Sequence, residues 1–253
     1  EALRDRGSLW LVSGESGVGK SRLLAELRAV ALIRGASVVV CQAREGARPY
    51  HLWAALARWL RLTSQLSSSE LRVLMEIAPD LAQREGASSG PPSLDPDDAR
   101  LRVFSVLASV LGRLSRPLMV VLEDLHLADA ESLDLLAFLC ADVEELPLLL
   151  AATTRTEGAP RLPERFPTAR RLPLERLDPA ALRALLAGVF HTDDIPDALI
   201  THLHTHTAGN PFFLVEVLRE AAGQLGGLTG VLARAALPES IEVPTVQRLL
   251  PVS

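Results

Sequence analysis

The sequence predicts an α/β fold, a parallel sheet with helices on both faces followed by an all-helical segment. Three observations predict it. Short apolar runs recur without the polar alternation of a half-exposed strand, which suits strands covered on both sides. Stretches with helical spacing separate those runs. After Pro179 the runs stop, and only helical patterns remain.

The elements follow in order. Strands are expected at Ser8–Ser13, Ser37–Gln42, Leu118–Leu122 and Leu148–Thr153, with a weaker fifth at Arg171–Leu174. Between the first two, a helix opening at Ser21 repeats apolar residues at Leu23, Leu24, Leu27, Val30 and Ala31. Helical patterns continue at Leu52–Leu62 and Glu70–Ile77. The next, Asp97–Leu114, starts on two acids that complement a helix dipole. Glu85–Pro96 is rich in Gly, Ser and Pro and is expected to be a loop. The last helical patterns are Pro179–Val189, Asp197–Thr207 and Phe212–Leu225. The expected organisation is a core over 1–177, a helical subdomain over 178–225 and the start of another domain over 226–253.

Composition narrows the class. The 253 residues are 48% hydrophobic and 23% charged, the profile of a folded globular chain. A formal charge of −5 gives no overall attraction to nucleic acid or an anionic membrane. No apolar run approaches the roughly 18 residues of a membrane helix. Cys41 and Cys140 sit in apolar runs and are expected to be buried free thiols, which fits a cytoplasmic location. The first residues, EALRDRG, have no signal-peptide pattern and no initiator Met, so the chain is expected to be a piece of a longer one. Of 26 Lys and Arg, one is Lys, and it is Lys20. Any motif that requires Lys can therefore occur in one place only.

That place carries the strongest signal. Gly14-Glu15-Ser16-Gly17-Val18-Gly19-Lys20-Ser21 is G-x4-G-K-S, between an expected strand and an expected helix. Glycines let such a loop turn tightly and aim backbone N–H groups inward, and the helix N-terminus adds positive potential. Gly14 to Arg22 are the expected nucleotide-binding stretch. Lys20 is expected to reach the β- and γ-phosphates, and the Ser21 hydroxyl to hold Mg2+. A second signal is the apolar run LMVVL ending in Glu123 and Asp124. Parallel strands present their C-terminal ends at one sheet edge, so these acids can share an edge with the loop. One acid can serve the metal and the other can orient or deprotonate water.

The ordered set Gly14–Ser21, VLEDLHLAD at Val121–Asp129, LLLAATTR at Leu148–Arg155 and AGNPFFLVEVL at Ala208–Leu218 resembles the AAA-type ATPase domains of STAND signalling NTPases. Such domains occur in large bacterial LuxR-type regulators and in ATPase-bearing kinases and cyclases. The resemblance implies a P-loop NTPase core with a helical lid, acting as an ATP- and Mg2+-dependent switch. It implies Glu123 as the Walker B acid at Mg2+, Asp124 as the acid that activates water, and Arg155 as a sensor of the γ-phosphate. It matches His126 and Asp129 to an H-x-x-D pattern, with Leu127 where the family commonly has Trp. Pro211 would lie against the nucleotide. Thr153 and Thr154 are further polar candidates. The implied partners are ATP or ADP, other domains of the parent chain and a second copy under nucleotide control. Neither direct nucleic-acid contact nor membrane insertion is expected.

Two alternatives stay open: a module that binds nucleotide without hydrolysis, and a small-molecule P-loop kinase. Guanine-specific switches use an N/T-K-x-D motif, which a chain with one Lys cannot contain, so adenine is favoured. His202, His204 and His206 fall in a helical pattern that puts His202 and His206 on one face, a poor metal set. Trp10, Trp53 and Trp59 are expected in the core. Arg165, Arg170 and Arg171 are expected as surface charge, with an in-trans role as the alternative.

Overall fold

A computed structural model describes residues 7–85, 96–157 and 162–224. Five parallel strands form one sheet: β1 (Ser8–Gly14), β2 (Ser37–Gln42), β3 (Leu118–Glu123), β4 (Leu148–Arg155) and β5 (Arg170–Pro173). Their order is β2-β3-β4-β1-β5. The helices are α1 (Lys20–Ile33), α2 (Ala54–Thr63), α3 (Ser68–Ile77), α4 (Asp80–Glu85), α5 (Pro96–Gly112), α6 (Ala130–Ala141), α7 (Pro179–Phe190), α8 (Asp197–Thr207) and α9 (Pro211–Gln224).

The described residues divide into two compact units. One holds 7–14 and the described part of 20–173; the other holds 15–19 and 174–224. In the first, successive strand residues point to opposite faces of the sheet, and both faces are buried. Leu9, Leu11, Val39, Cys41, Val120, Leu122, Leu150 and Ala152 join one core with α2, α3, α5 and α6, around the fully buried Trp53. Val12, Met119, Val121 and Ala151 point the other way and are also buried, on the side of Leu24 and Ala31 of α1. Helices therefore cover both faces, as the uninterrupted apolar runs predicted. In the second unit, Leu182, Leu186, Ile195, Leu199, Ile200, Leu203 and Leu214 form a separate core of α7, α8 and α9.

Several expectations shift. The α1 stripe is narrower than its spacing suggested, because Leu27 and Val30 are exposed. β5 begins one residue earlier than expected and pairs only with β1 at the sheet's edge. α4 and α6 were not expected as helices. In α6 the pattern is apolar almost all round, so it offers no clear 3.6-residue period, and the helix start is marked instead by Asp129 as N-cap. The expected loop Glu85–Pro96 lies mostly outside the described residues, with Glu85 ending α4 and Pro96 opening α5. The expected further domain at 226–253 lies wholly outside them. Cys41 and Cys140 are buried free thiols, each pushed up to about 12 by burial. No helix among the described residues is long and apolar enough to cross a membrane.

Candidate functional site

Parallel pairing brings the C-terminal ends of β1, β3 and β4 to one edge. Gly14 stands beside Arg155 in the β1–β4 register, and Glu123 ends β3 beside Gln42 of β2. β4 lies between β1 and β3. Thr153, Thr154 and Arg155 thus occupy the strand between the one that leads into Lys20 and the one that leads into the acids.

Lys20 opens α1 with its side chain buried, and its Nζ donates to the Gly14 carbonyl at 2.8 Å. Burial lowers its pKa first. Arg155 pushes in the same direction, while Asp124 and Glu157 oppose. The ammonium thus shares its surroundings with one further cation and two carboxylates. Ser21 and Arg22 are exposed on the first turn of α1, and Arg22 pairs with Glu26 one turn on at 2.6 Å.

Glu123 is half-buried at the end of β3. Asp124 follows with φ of 55°, a left-handed conformation that costs a non-glycine residue roughly 1 kcal/mol or more. It turns the chain out of the sheet edge. Its N–H donates to Thr153 Oγ1 at 2.9 Å, and Thr153 is itself buried. This hydrogen bond gives Thr153 a definite task that sequence reasoning left vague. His126 follows on a short 3-10 turn, with Nδ1 buried and without a hydrogen-bond partner. Burial lowers its pKa, Arg155 and Lys20 add to that, and Asp124 opposes.

Asp129 belongs to the scaffold. Its Oδ1 accepts from Ser132 N–H at 2.8 Å and Tyr50 N–H at 2.9 Å, and its Oδ2 accepts from the Ser132 hydroxyl at 2.7 Å. It caps α6 and ties that cap to the segment after β2. Leu127, where the resembling family commonly has Trp, packs partly buried against the core.

In the second unit, the loop 15–19 carries Gly17 at φ 81° and Gly19 at φ 107°. Val18 is buried, and its N–H approaches the Glu15 carbonyl at 3.5 Å. Arg176 grips Glu15 at 2.6 Å. Asn210 is buried ahead of Pro211, the half-buried first residue of α9. Its Oδ1 accepts from Phe212 N–H at 3.0 Å, which caps the helix, and its Nδ2 donates to the Ser16 carbonyl at 3.0 Å. The resemblance singles out Pro211 and gives Asn210 no task. An Asn directly before a Pro that opens a helix is an N-cap signature, and that signal could have singled out Asn210.

Several of the weaker candidates have local contacts. His202 and His206 lie side by side on one face of α8, with ring centroids 4.4 Å apart and ring planes tilted by 54°. No group of three or more His, Cys, Asp or Glu suited to a metal occurs among the described residues. Arg165 pairs with Asp134, Arg170 lies over the Trp10 ring at 5.5 Å, and Arg171 donates to the Pro163 carbonyl at 3.3 Å.

A family model described as AAA ATPase domain matches residues 1–151. An uncharacterized protein of Rhizobium meliloti (strain 1021) is 26% identical over 94% of the chain, which spans 25% of that relative's length. Among solved structures, a STAND protein with a tetratricopeptide repeat sensor from Pyrococcus horikoshii has a TM-score of 0.51 at 16% identity, over 84% of this chain and 27% of that one. Cdc6p from Pyrobaculum aerophilum has a TM-score of 0.52 at 14% identity, over 90% of this chain and 59% of that one. A chain of the HORMA:CdnC:Trip13 complex of E. coli MS115-1 has a TM-score of 0.51 at 14% identity, over 98% and 76%. At these identities the likeness is one of fold.

Proposed function

The chain belongs to the AAA ATPase domain family, and from that premise we propose that it is a Mg2+-dependent ATP-binding and ATP-hydrolysing switch module of a larger regulatory protein. The observation that carries this reading is the buried Lys20 ammonium at the sheet edge where Glu123 and Arg155 end their strands and Asp124 follows Glu123. A buried cation among carboxylates, on the first turn of a helix after a glycine-rich loop, is suited to a polyphosphate.

Each residue then has a task. Lys20 binds the β- and γ-phosphate oxygens, and the backbone N–H groups from Glu15 to Ser21 orient them. The Ser21 hydroxyl and the Glu123 carboxylate are hard oxygen donors that fit Mg2+, which when bound would offset charge on the phosphates. Asp124 orients the attacking water and takes its proton on a carboxylate oxygen. Arg155 faces charge that builds on the γ-phosphate. The lid role that the resemblance implies for Pro211 belongs to α7, α8 and α9. In this proposal the module reports to other domains, or to a second copy, according to which nucleotide is bound.

Calorimetric titration with ATP and GTP, with and without Mg2+, together with single-turnover hydrolysis, tests the reading. Wild type should bind ATP in preference to GTP. Lys20→Ala should lose binding by about a hundredfold or more, as expected when a desolvated charge pair is lost. Asp124→Asn should bind ATP and turn it over at least about a hundredfold more slowly. Unchanged binding in Lys20→Ala would overturn the proposal. Tight binding without turnover in wild type would recast the chain as a binding module.

A further inference from the structure

Asn210 joins two things that lie far apart in sequence, the carbonyl of Ser16 and the N-terminus of α9. Its carboxamide divides its polar ends between them. Oδ1 satisfies the Phe212 N–H, which has no carbonyl within the helix, and Nδ2 satisfies a carbonyl in the middle of the glycine-rich loop. Asn210 is buried, with 4% of its surface exposed, and both bonds are part-buried, which limits competition from water.

Gly17 shows how close this approach is. A Cβ on Gly17 would meet Phe212 Cβ at 2.8 Å and Asn210 Oδ1 at 2.9 Å. Gly17 is thus required twice, once for its φ of 81° and once for the space that α9 occupies. Behind Asn210 the backbone is equally constrained. Gly209 has φ of 73°, its carbonyl accepts from Leu177 N–H at 2.8 Å, and a Cβ there would lie 2.1 Å from the Leu177 carbonyl oxygen.

We propose that Asn210 is a positioning residue for nucleotide binding. It holds the Ser16–Gly17 segment in the shape that presents its N–H groups, and makes the start of α9 respond to what that segment binds. This deepens the proposed function and rests on it. A loop held in its binding shape loses less freedom when a phosphate arrives, which raises affinity. The coupling is reciprocal, so a phosphate that orders the loop also favours the seated position of α9.

Asn210→Ser separates this role from simple capping. Serine is a good N-cap and can still accept from the Phe212 N–H, but it is too short to donate to the Ser16 carbonyl. The experiment compares wild type and Asn210→Ser by 15N backbone order parameters without nucleotide, by thermal midpoint and by MgATP affinity. Order parameters at residues 16–19 should fall while those of α8 and the thermal midpoint hold, and affinity should weaken about three- to tenfold, the cost of one hydrogen bond. Unchanged loop order parameters, or altered loop dynamics with affinity within about twofold of wild type, would overturn the proposal. If wild type itself binds no MgATP, the proposed function falls, and with it the positioning role. A drop in loop order in Asn210→Ser would then mark a purely structural latch.

Discussion

Asp129 and Asp124 lie five positions apart in one motif, and the physics assigns them to different tasks. Asp129 spends both carboxylate oxygens on three donors from α6 and the Tyr50 backbone. Asp124 is fixed through its backbone N–H by Thr153, which leaves its carboxylate at the sheet edge outside that bond. Asp129→Ala should therefore cost stability, about 1–3 kcal/mol for a lost cap and two stranded donors, with ATP affinity of the folded fraction within about twofold of wild type. Urea unfolding paired with a binding titration checks this. A variant of normal stability that binds ATP poorly would move Asp129 from the scaffold into the site. Lys20 was legible because the chain has no other lysine and the loop pattern around it is specific. Thr153 was legible only as a polar candidate, and Asn210 only through the N-cap pattern ahead of Pro211, because the partner of a lone hydroxyl or amide is not written in any period or spacing. Their tasks arise from strand order and from a contact between residues 194 positions apart.

Among the elements, those with a clear period or a clear apolar run were legible. β2 falls at the expected residues, because Ser37–Gln42 is bounded by turn chemistry on one side and polar residues on the other. α6 escaped notice because its composition suits a buried strand as well as a buried helix. α8 was expected, and so was the shared face of His202 and His206. That face has a consequence for stability. Burial lowers the pKa of His202, and the neighbouring His206 adds to the shift. In the unfolded chain the same imidazole titrates near its ordinary value of about 6.5. As pH falls through that value, the unfolded state takes up a proton that the folded state resists, so stability is full above it and declines below it. His126 contributes in the same direction, its pKa also lowered mainly by burial. Thermal unfolding at pH 7.5 and 5.5 should show wild type losing midpoint at the lower pH, and His202→Gln should lose less. An equal loss in both would place the sensitivity elsewhere.

At the scale of the molecule, the chain builds two cores, one around the sheet and Trp53 and one among α7, α8 and α9. Residues 15–19 count with the second, while Lys20, Glu123, Asp124 and Arg155 count with the first. Sequence order alone could not reveal that division, since the loop is flanked on both sides by residues of the sheet unit. Binding to the folded state stabilises it by mass action, whatever the details of contact. At a free MgATP concentration about a hundred times Kd, the gain is about 2.7 kcal/mol. For a chain of this size each kcal/mol moves the midpoint by roughly 2–4 °C, so MgATP should raise it by about 5–10 °C. The shift should grow with the logarithm of nucleotide concentration, vanish in Lys20→Ala and shrink in Asn210→Ser. A rise of equal size in Lys20→Ala would mean that ATP stabilises the chain from a site other than the glycine-rich loop, because the variant lacks the ammonium proposed to hold the phosphates.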